Sequence, residues 1–135
     1  QALHTLSKIG DRRAWPAITP AVLSDADDEV ARSAWRAAVV LVPDGEEAAL
    51  AAALVTQLGR GDRETQSSLS RALVALGEAA TAVVLEDAAS TSAPPVRAHA
   101  LATQRLLRDP DSGFEAAIEE AKRVVALGGA GDGGR

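Results

Sequence analysis

The chain has 135 residues, of which 47% are hydrophobic, and its formal net charge is −5. This length and apolar content suit one domain with a sizeable core. The acidic balance disfavours a dedicated nucleic-acid binder, because the binding surfaces of such proteins are normally basic. The chain has no cysteine, which excludes a disulfide framework, a thiol nucleophile and a Cys-based zinc site.

The apolar runs of this sequence are much shorter than the ~20 residues that a membrane-spanning helix needs. No charged segment followed by an apolar one opens the chain, as it would in a signal peptide. We therefore expect a cytoplasmic protein with no membrane partner. The first residue is Gln rather than Met, and we expect the sequence to be part of a larger chain.

Apolar residues recur at spacings of three and four along most of the chain, which is typical of amphipathic helices. Gly, Pro, Ser and Asp interrupt this pattern at regular intervals. Helices are predicted at residues 2–9, 14–24, 28–42, 46–59, 63–76, 79–89, 95–108 and 113–127. No useful window alternates with period two, so no strand is predicted. Residues 1–127 are assigned to one helical domain, and the Gly-rich segment 128–135 is predicted to be a flexible tail.

The predicted helix at 28–42 is apolar on two sides, which requires neighbours on both. One stripe includes Val30, Ala34 and Leu41, and the other includes Trp35. Trp15 lies in an apolar stripe of the preceding helix, and core packing is the expected role of both tryptophans.

Second helices of successive predicted pairs resemble one another. They begin VARSAWRAAVVL at Val30, TQSSLSRALVALG at Thr65 and VRAHALATQRLL at Val96. Their spacing matches a two-helix unit, and such a pair buries its faces by stacking on the next. The predicted fold class is therefore all-α, an α-solenoid of antiparallel helix pairs with about three to four repeats and no sheet.

The stretch from Ile9 to Leu41 reads IGDRRAWPAITPAVLSDADDEVARSAWRAAVVL. It resembles a HEAT repeat of the short bacterial type seen in phycobilin-lyase-like HEAT proteins. The residues that carry the resemblance are Gly10, Asp11, Ala14, Pro16, Ala17, Asp25, Asp27, Val30, Arg32 and Ala34. The third unit repeats the family's Val-Arg pair at Val96 and Arg97, whereas the second unit has Thr65 and Gln66 there.

The resemblance implies stacked helix pairs whose second helices line a concave face. One architecture of this kind serves many tasks, so it indicates a fold more than a function. Two alternatives follow from related families: handling of a tetrapyrrole, as in phycobilin lyases, and nucleic-acid backbone binding, as in HEAT-like DNA glycosylases. The chain has few aromatic residues and no Tyr or Cys, which disfavours both.

No catalytic residue, metal site or cofactor is predicted. His4 and His99 are the only histidines, and neither belongs to the His-Glu pairs on which HEAT-like metal hydroxylases rely. We interpret both as surface or partly packed side chains. The acidic groups at residues 25–29, 62–64 and 109–111 are interpreted as caps at helix starts, because carboxylates satisfy free amides there.

Arginines concentrate on the predicted second helices, whereas acids concentrate in turns and first helices. If second helices line the concave face, as the resemblance implies, an acidic protein presents an arginine-bearing groove. Arg32 and Arg97 are assigned to a ladder of ion pairs between neighbouring repeats. The predicted partner-binding residues are Arg36, Arg71, Arg105 and Arg108, with their guanidinium groups in solvent. The planar guanidinium can bind a carboxylate through two parallel hydrogen bonds. The expected function is therefore a non-enzymatic module that binds a protein or acidic peptide segment.

Overall fold

A computed structural model describes the backbone of residues 18–91 and 93–133 and the side chains of residues 18–90 and 93–127. Regular structure in these ranges is entirely helical, without a strand, so the all-α prediction is confirmed. The helices are α1 (Pro20–Leu23), α2 (Asp28–Leu41), α3 (Glu47–Val55), α4 (Arg63–Leu76), α5 (Glu78–Thr91), α6 (Pro94–Arg108) and α7 (Phe114–Gly133), with a 3₁₀ turn at Pro110–Ser112. No helix in the described ranges has the length and apolarity needed to cross a membrane. The predicted helix at 2–9, His4 and Trp15 lie outside the described residues.

The helix boundaries differ from prediction mainly at the start of α1 and at the ends of α3 and α7. In the described residues the predicted helix at 14–24 begins only at Pro20, because Thr19 is extended and its side chain caps the helix by accepting a hydrogen bond from the backbone N–H of Val22. Helix α3 ends at Val55, earlier than the predicted residue 59. Beyond it, backbone amides bond three residues back, as in the bond of 2.9 Å from Gln57 to Leu54, and this tighter winding ends an α-helix. Helix α7 continues to Gly133, past the predicted end at 127. The flexibility of residues 128–135 stays a prediction.

Aspartates begin two of the longer helices, as the acidic clusters predict. The Asp27 side chain accepts a hydrogen bond of 2.9 Å from the backbone N–H of Glu29 at the start of α2. Asp62 accepts one of 2.9 Å from Thr65 at the start of α4, and this bond lowers the pKa of Asp62. The same interpretation is wrong for Asp109, whose side chain makes no capping bond.

Contacts between the helices follow two series. Helices that are consecutive in the chain contact each other: α1 with α2, α3 with α4, α4 with α5, α5 with α6 and α6 with α7. Helices two apart in the chain also contact each other: α1 with α3, α3 with α5, α2 with α4 and α4 with α6. The even-numbered helices α2, α4 and α6 therefore lie side by side in chain order.

The core is divided into two apolar clusters. The larger one includes Trp35, Leu54 and Leu73 and is built mainly by α1 to α5. The smaller one joins α6 to α7 and includes Phe114 and Ile118. Large aliphatic and aromatic side chains supply most of the stabilising burial in each cluster.

Trp35 is fully buried, as predicted, and its Nε1–H donates a hydrogen bond of 2.8 Å to the carbonyl of Leu23. The predicted stripe on α2 is wrong at Val30, which is 40% exposed. Ala31 takes its place as the first fully buried residue of α2, and Ala34 and Leu41 continue the stripe.

Candidate functional site

A cleft of about 640 Å³ lies between α2 and α4, and we call it the α2–α4 cleft. It is lined by Arg32, Arg36, Val39, Val40, Glu64, Ser67, Ser68, Arg71 and Ala72. Two of the four predicted partner-binding arginines, Arg36 and Arg71, therefore share one cavity. The valines and serines of this cleft were not among the predicted site residues, although Arg36, Val39 and Val40 fall on one face of a helix.

The guanidinium groups of Arg36 and Arg71 are exposed and largely unused by the protein. Arg36 makes one hydrogen bond, of 3.3 Å from Nη2 to Ser33 Oγ on its own helix. Arg71 makes no side-chain hydrogen bond or ion pair with any residue that the structure describes. Because a guanidinium carries five N–H donors in a fixed plane, both side chains keep most of their donors for a ligand.

Arg32 closes one end of the α2–α4 cleft. Its Nη2 lies 3.3 Å from Glu64 Oε2 on α4 and its Nη1 lies 3.8 Å from Glu29 Oε1. Arg32 therefore joins α2 to α4, as the predicted ladder requires, with a glutamate as the partner. Arg97 differs, because no described carboxylate pairs with its guanidinium. The buried Nε atoms of both arginines have no hydrogen-bond partner.

Arg105 and Arg108 line a second, smaller cavity of about 140 Å³ between α6 and α7. Arg105 forms an ion pair with Glu120 of α7, so the prediction that its guanidinium stays free in solvent is wrong. Packing of α7 against α6 brings these opposite charges together. Arg108 is exposed and has no partner among the described residues. The four predicted residues thus do not share one cavity: Arg36 and Arg71 line the α2–α4 cleft, and Arg105 and Arg108 line this second one.

Arg71 also lines a third cavity, of about 150 Å³, with Leu106 of α6 and Phe114 of α7. This cavity lies where α4 meets α6, so Arg71 stands between the α2–α4 cleft and the next pair of helices.

Two arginines outside the predicted set connect separate parts of the fold. Arg60, between α3 and α4, lies 2.7 Å from Asp28 Oδ1, and its guanidinium carbon lies 5.9 Å from the ring centre of Trp35. Arg63 of α4 lies 2.6 Å from Glu115 and 3.0 Å from Glu119, both on α7. The spacing of the two glutamates at i and i+4 indicates one helix face, but the sequence does not reveal which cation meets it.

His99 is buried, with 1% of its surface exposed, so its interpretation as a surface or partly packed side chain is wrong. Its Nδ1 accepts a hydrogen bond of 2.8 Å from the backbone N–H of Gly59. Nε2 must then carry the proton, and it lies 2.9 Å from the carbonyl of Gln66 and 3.0 Å from Ser70 Oγ. Burial lowers the pKa of His99 to about 4.

The short distance between His99 and Ser70 raises the question of a catalytic pair. A serine nucleophile needs an unprotonated imidazole nitrogen beside its hydroxyl, whereas Nε2 is the protonated nitrogen here. Ser70 is fully buried, and its Oγ lies 2.7 Å from Thr103 Oγ1. The group therefore acts as a hydrogen-bond network that joins α4, α6 and the turn before α4.

A fourth cavity, of about 780 Å³, lies beside the start of α6 and along α7. Its walls are mainly apolar and include Pro94, Pro95, Ile118 and Val125, together with Arg63. Within the described part of the chain, no group of three or more His, Asp or Glu side chains could hold a metal ion.

Comparison with known protein families, curated proteins and solved structures finds no match to this chain.

Proposed function

We propose that the chain is a HEAT-like α-solenoid of the short bacterial, phycobilin-lyase-like type that acts as a non-enzymatic interaction module in the cytoplasm. Its partner is a protein or peptide segment that carries acidic side chains. The observation that carries the proposal is the presence of two largely unpaired guanidinium groups, those of Arg36 and Arg71, in one cleft between α2 and α4.

The order of helix contacts supports the solenoid. Helices α1, α3 and α5 contact one another in chain order, and so do α2, α4 and α6. This is the contact pattern of helix pairs that each stack on the next pair. In that arrangement the α2–α4 cleft lies on the surface made by second helices.

The distribution of charge supports an acidic partner. The whole chain has a net charge of −5, yet the α2–α4 cleft contains three arginines and a single acid, Glu64, which is already paired with Arg32. Two free guanidinium groups in one cavity repel each other until an anion binds between them. A carboxylate relieves this repulsion and accepts charge-assisted hydrogen bonds from the planar donors.

A peptide-display selection against the immobilised protein tests the proposal. We expect the selected peptides to be enriched in Asp and Glu, and the Arg36→Glu/Arg71→Glu double variant to lose them. Arg123→Glu is the matched control, because Arg123 is exposed on α7 and lines none of the cavities described here. Both variants should keep the melting temperature of the original chain, since exposed charges contribute little to stability.

Selection of neutral or basic peptides would contradict the proposal. An equal loss of binding to acidic peptides in the Arg123→Glu control would contradict it as well. The two alternative functions have distinct readouts in the same protein. A bound tetrapyrrole would absorb visible light, and a duplex nucleic acid would bind with a steep dependence on salt concentration.

A further inference from the structure

The α2–α4 cleft contains an apolar patch next to its charges. Val40 is 48% exposed, although it lies on a helix whose other face forms the core. Val39 is partly buried and packs against the larger core cluster, and Ala72 adds a small apolar surface from α4. An exposed valine beside two arginines offers a ligand both apolar and ionic contacts.

The lining residues have a definite order along the cleft. Arg32 and Glu64 meet at one end, and every other lining residue follows them in α2 or in α4. The two helices therefore run in the same direction away from that contact. Next along α2 comes Arg36, followed one turn later by Val39 and Val40.

On α4 the corresponding order is Ser67 and Ser68, then Arg71 and Ala72. The hydroxyls of Ser67 and Ser68 make no hydrogen bond with a described residue. They are therefore free to bond the backbone of a ligand at the level of Arg36. Arg71 stands across the cleft from the valines.

The spacing of the two kinds of contact along α2 suits an extended peptide. From Arg36 to Val40 the helix advances by ~6 Å. An extended peptide covers this distance in about two residues, and side chains two residues apart point to the same side.

We propose that the α2–α4 cleft binds an extended peptide in which an acidic residue and an aliphatic residue are separated by one residue. The acidic side chain lies between the guanidinium groups of Arg36 and Arg71, and the aliphatic side chain packs on Val39 and Val40. The intervening side chain points away from the cleft. This inference rests on the proposed function and adds the second specificity element of the same site.

Fluorescence anisotropy with four labelled peptides tests the inference. The first has the core Glu-Ser-Leu in a Gly-Ser background. The second replaces Leu by Ser, the third replaces Glu by Gln, and the fourth has the order Glu-Leu-Ser, in which Leu points to the opposite side. We expect the first peptide to bind most tightly, with a loss of about tenfold for each of the other three, since each change removes one buried contact.

Protein variants assign the aliphatic contact. Val40→Ser should remove the preference for the first peptide over the second while the preference for Glu over Gln remains. Val83→Ser is the matched control, because Val83 is 81% exposed and lies on α5, outside the cleft. Both valines are exposed, so both variants should keep the original melting temperature.

The outcomes separate this inference from the proposed function. Equal binding of the first peptide and of the second, which lacks Leu, overturns the inference but leaves the proposed module that binds acidic peptides. Equal binding of the first and fourth peptides overturns the extended geometry. Equal binding of the Glu and Gln peptides, or binding of none of the four, overturns both proposals.

Discussion

At the scale of single residues, burial separates the roles of the polar side chains. His99 is enclosed and uses both ring nitrogens in hydrogen bonds within the protein. Arg36 and Arg71 are exposed and keep most of their donors free. A buried polar group must be satisfied internally, because an unpaired donor or acceptor away from water is costly. The same reasoning assigns His99 to stability and leaves the two arginines available for the proposed binding.

The buried imidazole predicts a dependence of stability on pH. In the unfolded chain His99 binds a proton near its ordinary pKa of 6.5, whereas in the folded protein its pKa is about 4. Between these values the unfolded state binds more protons, so the free energy of unfolding falls as the pH falls. The contribution is fully present above pH 6.5 and decreases by ~3 kcal/mol by pH 4.

Urea unfolding of the original chain and of a His99→Gln variant, at several pH values from about 7 to about 4.5, measures this effect. Gln cannot titrate, so the free energy of unfolding of the variant should fall less between the highest and the lowest pH. At the highest pH the variant should already be less stable than the original chain. Parallel curves for the two proteins would contradict the assignment of the pH dependence to His99.

At the scale of elements, the turn at residues 59–61 is tightly packed between helices. The backbone N–H of Gly59 donates to His99 of α6, while Arg60 reaches back to Asp28 at the start of α2. Gly61 has a φ of +77°, and a Cβ at this position would lie 2.8 Å from the side chain of Thr65. This turn therefore requires glycine for backbone conformation and for space.

Gly61→Ala should lower the free energy of unfolding more than Gly45→Ala. Gly45 also has a positive φ, of +93°, but a Cβ there would meet no atom within 4 Å. The Gly45 variant thus reports the cost of the left-handed backbone alone, ~1–2 kcal/mol. The Gly61 variant adds the steric overlap with Thr65. Its free energy of unfolding, measured with denaturant, should therefore fall by a total of ~2–4 kcal/mol. Equal losses would mean that Thr65 moves aside without cost.

At the scale of the whole molecule, helix α7 is attached differently from α2 and α4. It belongs to the smaller apolar cluster, with α6, and is tied by ion pairs to Arg63 and Arg105. Exposed ion pairs add little to stability, so packing of residues such as Ile118 holds most of α7 in place. Helix α7 packs mainly on α6, whereas α2 packs on both α1 and α4. An element with a neighbour on one side only opens at lower free energy than the core.

Hydrogen exchange should therefore be faster in α7 than in α2. Ile118→Ala removes a side chain that is 1% exposed, which costs ~2–4 kcal/mol. We expect it to accelerate exchange in α7 much more than in α2. Val124→Ala is the control on the same helix, because Val124 is 50% exposed and should change exchange little. Equal acceleration in α2 and α7 would indicate that the chain opens as one unit.

The parts of this fold that depend on local patterns were predictable from the sequence. The period of apolar residues located each helix in the described range, and the position of Asp62 marked the start of α4 because its carboxylate caps nearby amides. Arg36 and Arg71 could be placed on one surface because both were predicted to lie on second helices, and they do line one cleft between α2 and α4.

The angles between helices and their consequences were not predictable. Arg63 meets Glu115 and Glu119 only because of how α7 crosses the neighbouring helices, and Arg105 is paired with Glu120 for the same reason. No local pattern reveals such contacts, since they join residues that are distant in sequence.

The connections made by the turn at residues 59–61 limit how this chain could be rearranged. An array that grows by copying helix pairs needs units that function in any position. The α3–α4 pair depends on Asp28 before it and on His99 after it, so a copy moved elsewhere would lack both neighbours. In the proposed array this pair would be specific to its place in the order, and a shuffled array would have to carry the matching acid and imidazole with it.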